Sequence, residues 1–180
     1  MNIKFYRFFS LLLVVSLAAF ACGGGEGNAA SEKSVQKKTS PPDQKANMTP
    51  EEIGVQVGDL YEQAMSELVG ALEERPAVAD VKEQIESMRE EYIQKLVALG
   101  KLREELTAAE KSKTDLQVHL KFNELNKTPM YASFNEIQMH YFSDRSFHKT
   151  IMSFNILTQY ASFELLKKQD PDEAARLGIQ

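Results

Sequence analysis

Residues 78–125 read VADVKEQIESMREEYIQKLVALGKLREELTAAEKSKTDLQVHLKFNEL. Val78, Val81, Ile85, Met88, Tyr92, Lys95, Leu99, Leu102, Leu106, Ala109, Lys113, Leu116 and Leu120 follow one another at alternating spacings of three and four. Only Lys95 and Lys113 break the apolar identity. A sustained repeat of this kind has a period of 3.5 residues and describes an amphipathic helix with a coiled-coil-like seam. Gly100 lies inside it and costs about 1 kcal/mol relative to Ala, but the register does not change there. The pattern therefore predicts one helix over about 78–125, roughly 70 Å long at 1.5 Å per residue. Such a helix is the spine of an elongated hairpin or bundle, or it enters a coiled coil with another chain, a second copy included. The intrachain arrangement is the expectation, because the rest of the chain supplies amphipathic helices to cover the seam.

Those helices announce themselves by their starts. Thr49-Pro50-Glu51-Glu52 carries a capping Thr, a proline at the first helical position and Glu52 three residues on. Ile53, Val57, Leu60, Ala64, Leu68, Ala71 and Leu72 then recur at helical spacing, and Pro76 should end the helix by biasing Arg75 away from it. Thr128-Pro129 starts another helix. Beyond Lys121 the composition turns aromatic: Phe122, Tyr131, Phe134, Tyr141, Phe142, Phe147, Phe154, Tyr160 and Phe163 lie there. Helical spacing runs through Met130, Phe134, Ile137 and Tyr141, then through Phe147, Ile151, Phe154, Leu157, Ala161 and Leu165. Ser143-Asp144 either caps a new helix or sits in a kink. The stretch 147–166 is apolar on more than one face, which places it in a core or against a partner. Asp170-Pro171-Asp172-Glu173 starts a last short helix, and Gly178 stops it. The expected class is all-α: one long heptad-patterned helix packed by an N-terminal helix and C-terminal helices.

The chain's beginning is of another kind. Lys4 and Arg7 precede an apolar run from Phe8 to Ala21, with small residues at Ala19 and Ala21. That order describes a secretory signal peptide over 1–21; the run is shorter than the roughly 20 residues a membrane span needs. Ala19-Phe20-Ala21-Cys22 resembles the lipobox of bacterial lipoproteins. The resemblance covers residues 1–23 and implies cleavage between Ala21 and Cys22 and acylation of the Cys22 thiol. Cys22 is the single cysteine, and lipidation accounts for an unpaired thiol in an exported chain. Several acyl chains would anchor it durably, and Gly23 in place of Asp points by the enteric sorting rule to the outer membrane, facing the periplasm. Residues 22–48 hold Gly-Gly-Gly-Glu-Gly, a Ser/Lys/Gln-rich stretch and Pro41-Pro42, with too little apolar surface to fold. They read as a disordered tether ahead of a single helical domain, 49–180.

That domain carries 15 basic and 23 acidic side chains, a net charge of −8. The balance disfavours nucleic acid as a partner and also disfavours the domain lying on anionic lipid. No phosphate-cradling glycine loop, Gly-x-Ser-x-Gly elbow, His-Glu-x-x-His site or Cys-x-x-Cys-His occurs. The expectation is a non-enzymatic chain with no cofactor apart from the lipid at Cys22. It would be held to the envelope membrane by that anchor and would bind an envelope protein or peptide as an adaptor, scaffold or accessory subunit. One constellation points elsewhere. Glu136, His140, Asp144 and His148 are spaced by four residues each, and on a continuous helix over 134–150 they would share a stripe able to hold a metal ion. The alternative is therefore a periplasmic bundle that binds a metal or small ligand.

Overall fold

Thr49 begins the first helix with a reciprocal cap. Its hydroxyl accepts the Glu52 N–H at 3.2 Å, and the Glu52 carboxylate accepts the Thr49 N–H at 2.7 Å. In the computed structural model, which describes residues 48–179, this start opens α1, Pro50–Leu72. The described residues belong to one compact unit. The signal peptide, the Ala21/Cys22 cleavage and lipidation site and most of the tether lie outside the described residues. After α1, Arg75 takes a left-handed φ of 51° ahead of Pro76. There follow α2 (Val78–Glu104), α3 (Ala108–Leu125), α4 (Pro129–His140), α5 (Arg145–Ser153), a 3-10 helix (Phe154–Ala161), α6 (Phe163–Gln169) and α7 (Pro171–Arg176). The described residues contain helices and no strand, so the class is all-α. No described helix is long and apolar enough to cross a membrane.

The heptad stretch is not one helix. It breaks at 105–107, where the last turn of α2 tightens through Glu105 N–H to Leu102 and Leu106 N–H to Arg103. Thr107 is extended at φ −66°, ψ 162° and caps α3 with a second reciprocal box. Its hydroxyl donates to Glu110 at 2.7 Å, and its N–H does so at 2.9 Å. Thr107-Ala108-Ala109-Glu110 thus satisfies the orphan donors of a helix start as fully as Thr49 does. The gain that makes the break worthwhile is tertiary. The turn lays α3 back along α1, the largest helix pairing in the molecule. A 3.5-residue count cannot register that competition. The spine of about 70 Å is replaced by α2, 27 residues and roughly 40 Å long.

Two glycines make the α1–α3 contact close. A Cβ on Gly54 would fall inside contact distance of the Thr114 carbonyl oxygen, and one on Gly58 would stand 2.7 Å from Lys121 Cγ. The Thr114 hydroxyl, 1 % exposed, donates to the Pro50 carbonyl at 2.9 Å. Lys113 pairs with Glu51, and Lys121 with Asp59 and Glu62. This face of α3 is its own, not the heptad seam. Leu116 and Leu120 point outward, 55 % and 49 % exposed.

The C-terminal half threads the core. Phe147, Ile151, Phe154, Leu157 and Tyr160 are all buried. From Ile151 onward these side chains recur every three residues. An α-helix would fan such a series around its axis, whereas a 3-10 helix, with three residues per turn, stacks it on one face. The run 147–166 is accordingly α5, a 3-10 segment and α6, with the 3-10 face packed on α2 and α1. Gly100 receives it: a Cβ there would stand 2.5 Å from Phe163 Cε1 and 3.1 Å from the Tyr160 carbonyl.

Candidate functional site

Because α3 folds back on α1 without closing onto the C-terminal half, a cleft of about 250 Å³ remains between α3 and the 3-10–α6 junction. Val57 of α1 floors it. Val118 and Phe122 of α3 form one wall, and Ala161 and Leu165 form the other. At one end, Lys111 bridges Glu104 at 2.9 Å and Glu164 at 3.5 Å, so the walls are tied there by charge. Leu165 is 38 % exposed at the rim.

The polar equipment is concentrated at the base of α3. Arg103 closes the C-terminal turn of α2 and is 6 % exposed. Its Nε and Nη2 donate to Asp115 at 3.0–3.2 Å in a bidentate pair. Nη1 is buried without a hydrogen-bond partner, 3.6 Å from Glu104. A planar fork of this kind fixes geometry as well as charge. The Asp115 carboxylate is itself more than half exposed at the cleft, and His119 stands one turn further along α3, with Gln159 and Ser162 across from it. The lining is thus mixed: Val57, Val118 and Ala161 sit beside the buried Arg103 and Thr114, with further acceptors and donors at the mouth.

The sequence-derived metal stripe is not assembled. Glu136 and His140 belong to α4, which ends at His140; Asp144 stands just ahead of α5, which holds His148, and Tyr141–Ser143 form the turn between. Asp144 is the α5 cap, accepting the Phe147 N–H at 3.0 Å. Glu136 reaches Arg75 at 3.7 Å. The His140 ring packs edge-on to Tyr141, and His148 packs edge-on to Phe142. The short polar Ser143-Asp144 pair diverts the backbone from the helix the stripe required. Among the described residues, no three His, Cys, Asp or Glu side chains converge as metal ligands would. The spacing of four predicted a stripe that the turn at 141–143 divides, whereas Arg103, Asp115 and His119 carried no spacing signal. Their only cue was the Thr107–Glu110 box, which turns α3 so that they meet.

A second polar cluster holds the C-terminus. The Tyr160 hydroxyl accepts from Arg89 at 2.7 Å and donates to Glu173 at 2.9 Å. Arg176 forks onto both Glu173 and Glu90. Burial pushes the Tyr160 hydroxyl above its ordinary range. Arg176 holds the Glu173 and Glu90 carboxyls below theirs. These contacts tie α7 and the 3-10 segment to α2.

No protein-family model, curated protein or solved structure matches this chain.

Proposed function

We propose that this chain is a lipid-anchored protein of a bacterial envelope whose helical domain binds a segment of another envelope protein, as an adaptor, scaffold or accessory subunit. The cleft between α3 and the 3-10–α6 junction carries the reading. Drug-sized ligands and cofactors occupy sites of about 300–1,000 Å³, and this cleft, at about 250 Å³, is smaller. It suits one or two side chains presented by a partner segment. The apolar floor would take those side chains, and Asp115, His119 and Gln159 at the mouth would meet the segment's backbone. The anchor at Cys22 and the outer-membrane location belong to the same proposal; the anchor rests on the lipobox-like segment 19–22 and the lone thiol, and the location on Gly23. No observation favours the metal-binding alternative, because the turn at 141–143 divides its four residues.

The test is a photoreactive residue placed at Val118 or Leu165, and separately at exposed Glu83, in the native cell. A discrete adduct from the cleft positions and none from Glu83 is the expected result. Equal labelling at all three sites, or none, removes the reading. The anchor is tested on its own: a Cys22→Ser precursor that is still cut before residue 22 should leave the membrane on washing, and its retention after that cut would overturn lipidation.

A further inference from the structure

The domain's acidity is unevenly spread. Residues 125–163 hold Lys127, Arg145 and Lys149 against Glu136 and Asp144, a net of +1. The rest of 48–179 holds 12 basic and 21 acidic side chains, a net of −9. Both acids in the first stretch are engaged, Glu136 with Arg75 and Asp144 with the start of α5. Among the described residues, the two most exposed large apolar side chains lie in the same place. Met139 is 69 % and Phe142 64 % exposed, and they share the turn after α4 through the Phe142 N–H to Met139 carbonyl bond. The Phe142 ring leans edge-on against His148, 5.4 Å between centroids. Met152, one turn beyond His148 on α5, is also exposed. The same helix turns Phe147 and Ile151 inward and leaves Arg145 and Lys149 in solvent.

We propose that the α4–α5 turn and the outer face of α5 dock on an anionic lipid bilayer. Apolar tips standing out from a turn, flanked by cations, match the interfacial zone of a bilayer. There the tips enter the headgroup–acyl boundary and the cations face lipid phosphate. The outer face of α5 carries no acid to oppose this. The docking corner therefore reverses, locally, what the net charge of the whole domain implies. A bilayer is also the surface beside which an anchored Cys22 would hold the domain. The docking does not depend on that anchor, nor on the partner cleft, which other residues line.

Residues 43–180, which contain that compact unit and lack Cys22, give the test by co-sedimentation with vesicles. Native fragment should sediment with phosphatidylcholine vesicles containing about a third phosphatidylglycerol, and far less with phosphatidylcholine alone. The pair Met139→Ser and Phe142→Ser should weaken the partition roughly tenfold, with unchanged thermal melting because both side chains are exposed. Arg145→Gln with Lys149→Gln should weaken binding to the anionic vesicles and leave the weak neutral binding as it was. Absence of native binding, or variants that bind as native does, would overturn the proposal. So would sedimentation velocity showing that the Ser variants abolish self-association, because the face would then be a contact between copies. Absence of vesicle binding by the native fragment with an intact cleft adduct refutes this docking alone, and the reverse result refutes only the partner cleft.

Discussion

One repeat runs through α2 and α3, yet the two helices use it differently. In α2 the seam is core: Val81, Ile85, Tyr92 and Leu99 are all buried. In α3 the continuation of that seam faces solvent, and the buried Thr114 and the half-buried Val118 and Phe122 do the packing. The starts differ as well. α2 begins after Ala77 with no side-chain cap, whereas α3 begins with the Thr107–Glu110 box. A periodic apolar stripe is thus a statement about which face is able to pack. The partner available to each helix decides which face does.

The contrast is sharpest for side-chain truncation. Ile85→Ala in α2 should cost about 2–5 kcal/mol in urea unfolding, since Ile85 is fully buried. Leu116→Ala and Leu120→Ala, at equivalent positions of the same repeat, should each stay within about 0.5 kcal/mol. Comparable losses from both helices would mean that α3 uses the seam in solution, against another chain.

The approach of α3 to α1 should break next. Gly54→Ala pushes a methyl into the Thr114 backbone and should cost about 1–3 kcal/mol. Gly58→Ala meets Lys121 Cγ and Cβ at 2.7 and 2.8 Å, a looser clash than that of Gly54 with backbone, and should cost less. Gly70→Ala, at an exposed site in α1 with no atom near the new methyl, should stabilise by about 0.5–1 kcal/mol. Thermal melts in that order test whether backbone contact, and not glycine content, is what holds the pair.

Loss of the cap comes below these. Thr107→Ala should cost about 1 kcal/mol and leave the chain folded, since the α1–α3 packing stays. The smallest effect is the acid response of the same box. The Thr107 hydroxyl and then its N–H hold the Glu110 carboxyl below the ordinary carboxylate value of 4.5. A lowered carboxyl contributes stability above its ordinary value and loses it as pH falls through the lowered one. Circular dichroism below about pH 4.5 should therefore show an acid loss of helix that Glu110→Gln flattens.

Element starts were the most legible part of the chain. Thr49-Pro50, Thr128-Pro129 and Asp170-Pro171 each open a helix as their chemistry dictates. Thr107-Ala108-Ala109-Glu110 bears the same Thr-x-x-Glu box, set inside the unbroken count from Leu102 to Leu120. A local cap and a regional period carry different information, and here the cap coincided with a long-range contact that no window of sequence contains. The 3-10 segment was written in the three-residue spacing of Phe154, Leu157 and Tyr160, which also fits one face of an α-helix over a short run. The cleft was illegible because Arg103, Asp115 and Leu165 belong to three helices that meet only after α3 has turned.

The 3-10 segment also fixes how the chain tolerates insertion and deletion. Its eight residues span roughly 16 Å, where an α-helix of the same length would span roughly 12 Å. The C-terminal half thereby crosses α2 with fewer residues than a uniform helix would need. Adding or removing one residue between Phe154 and Ala161 would swing every later ring by about a third of a turn, out of the core and away from Gly100. A change of three would restore the face and move only the distance. A change of three within that segment should therefore disturb the core less than a change of one.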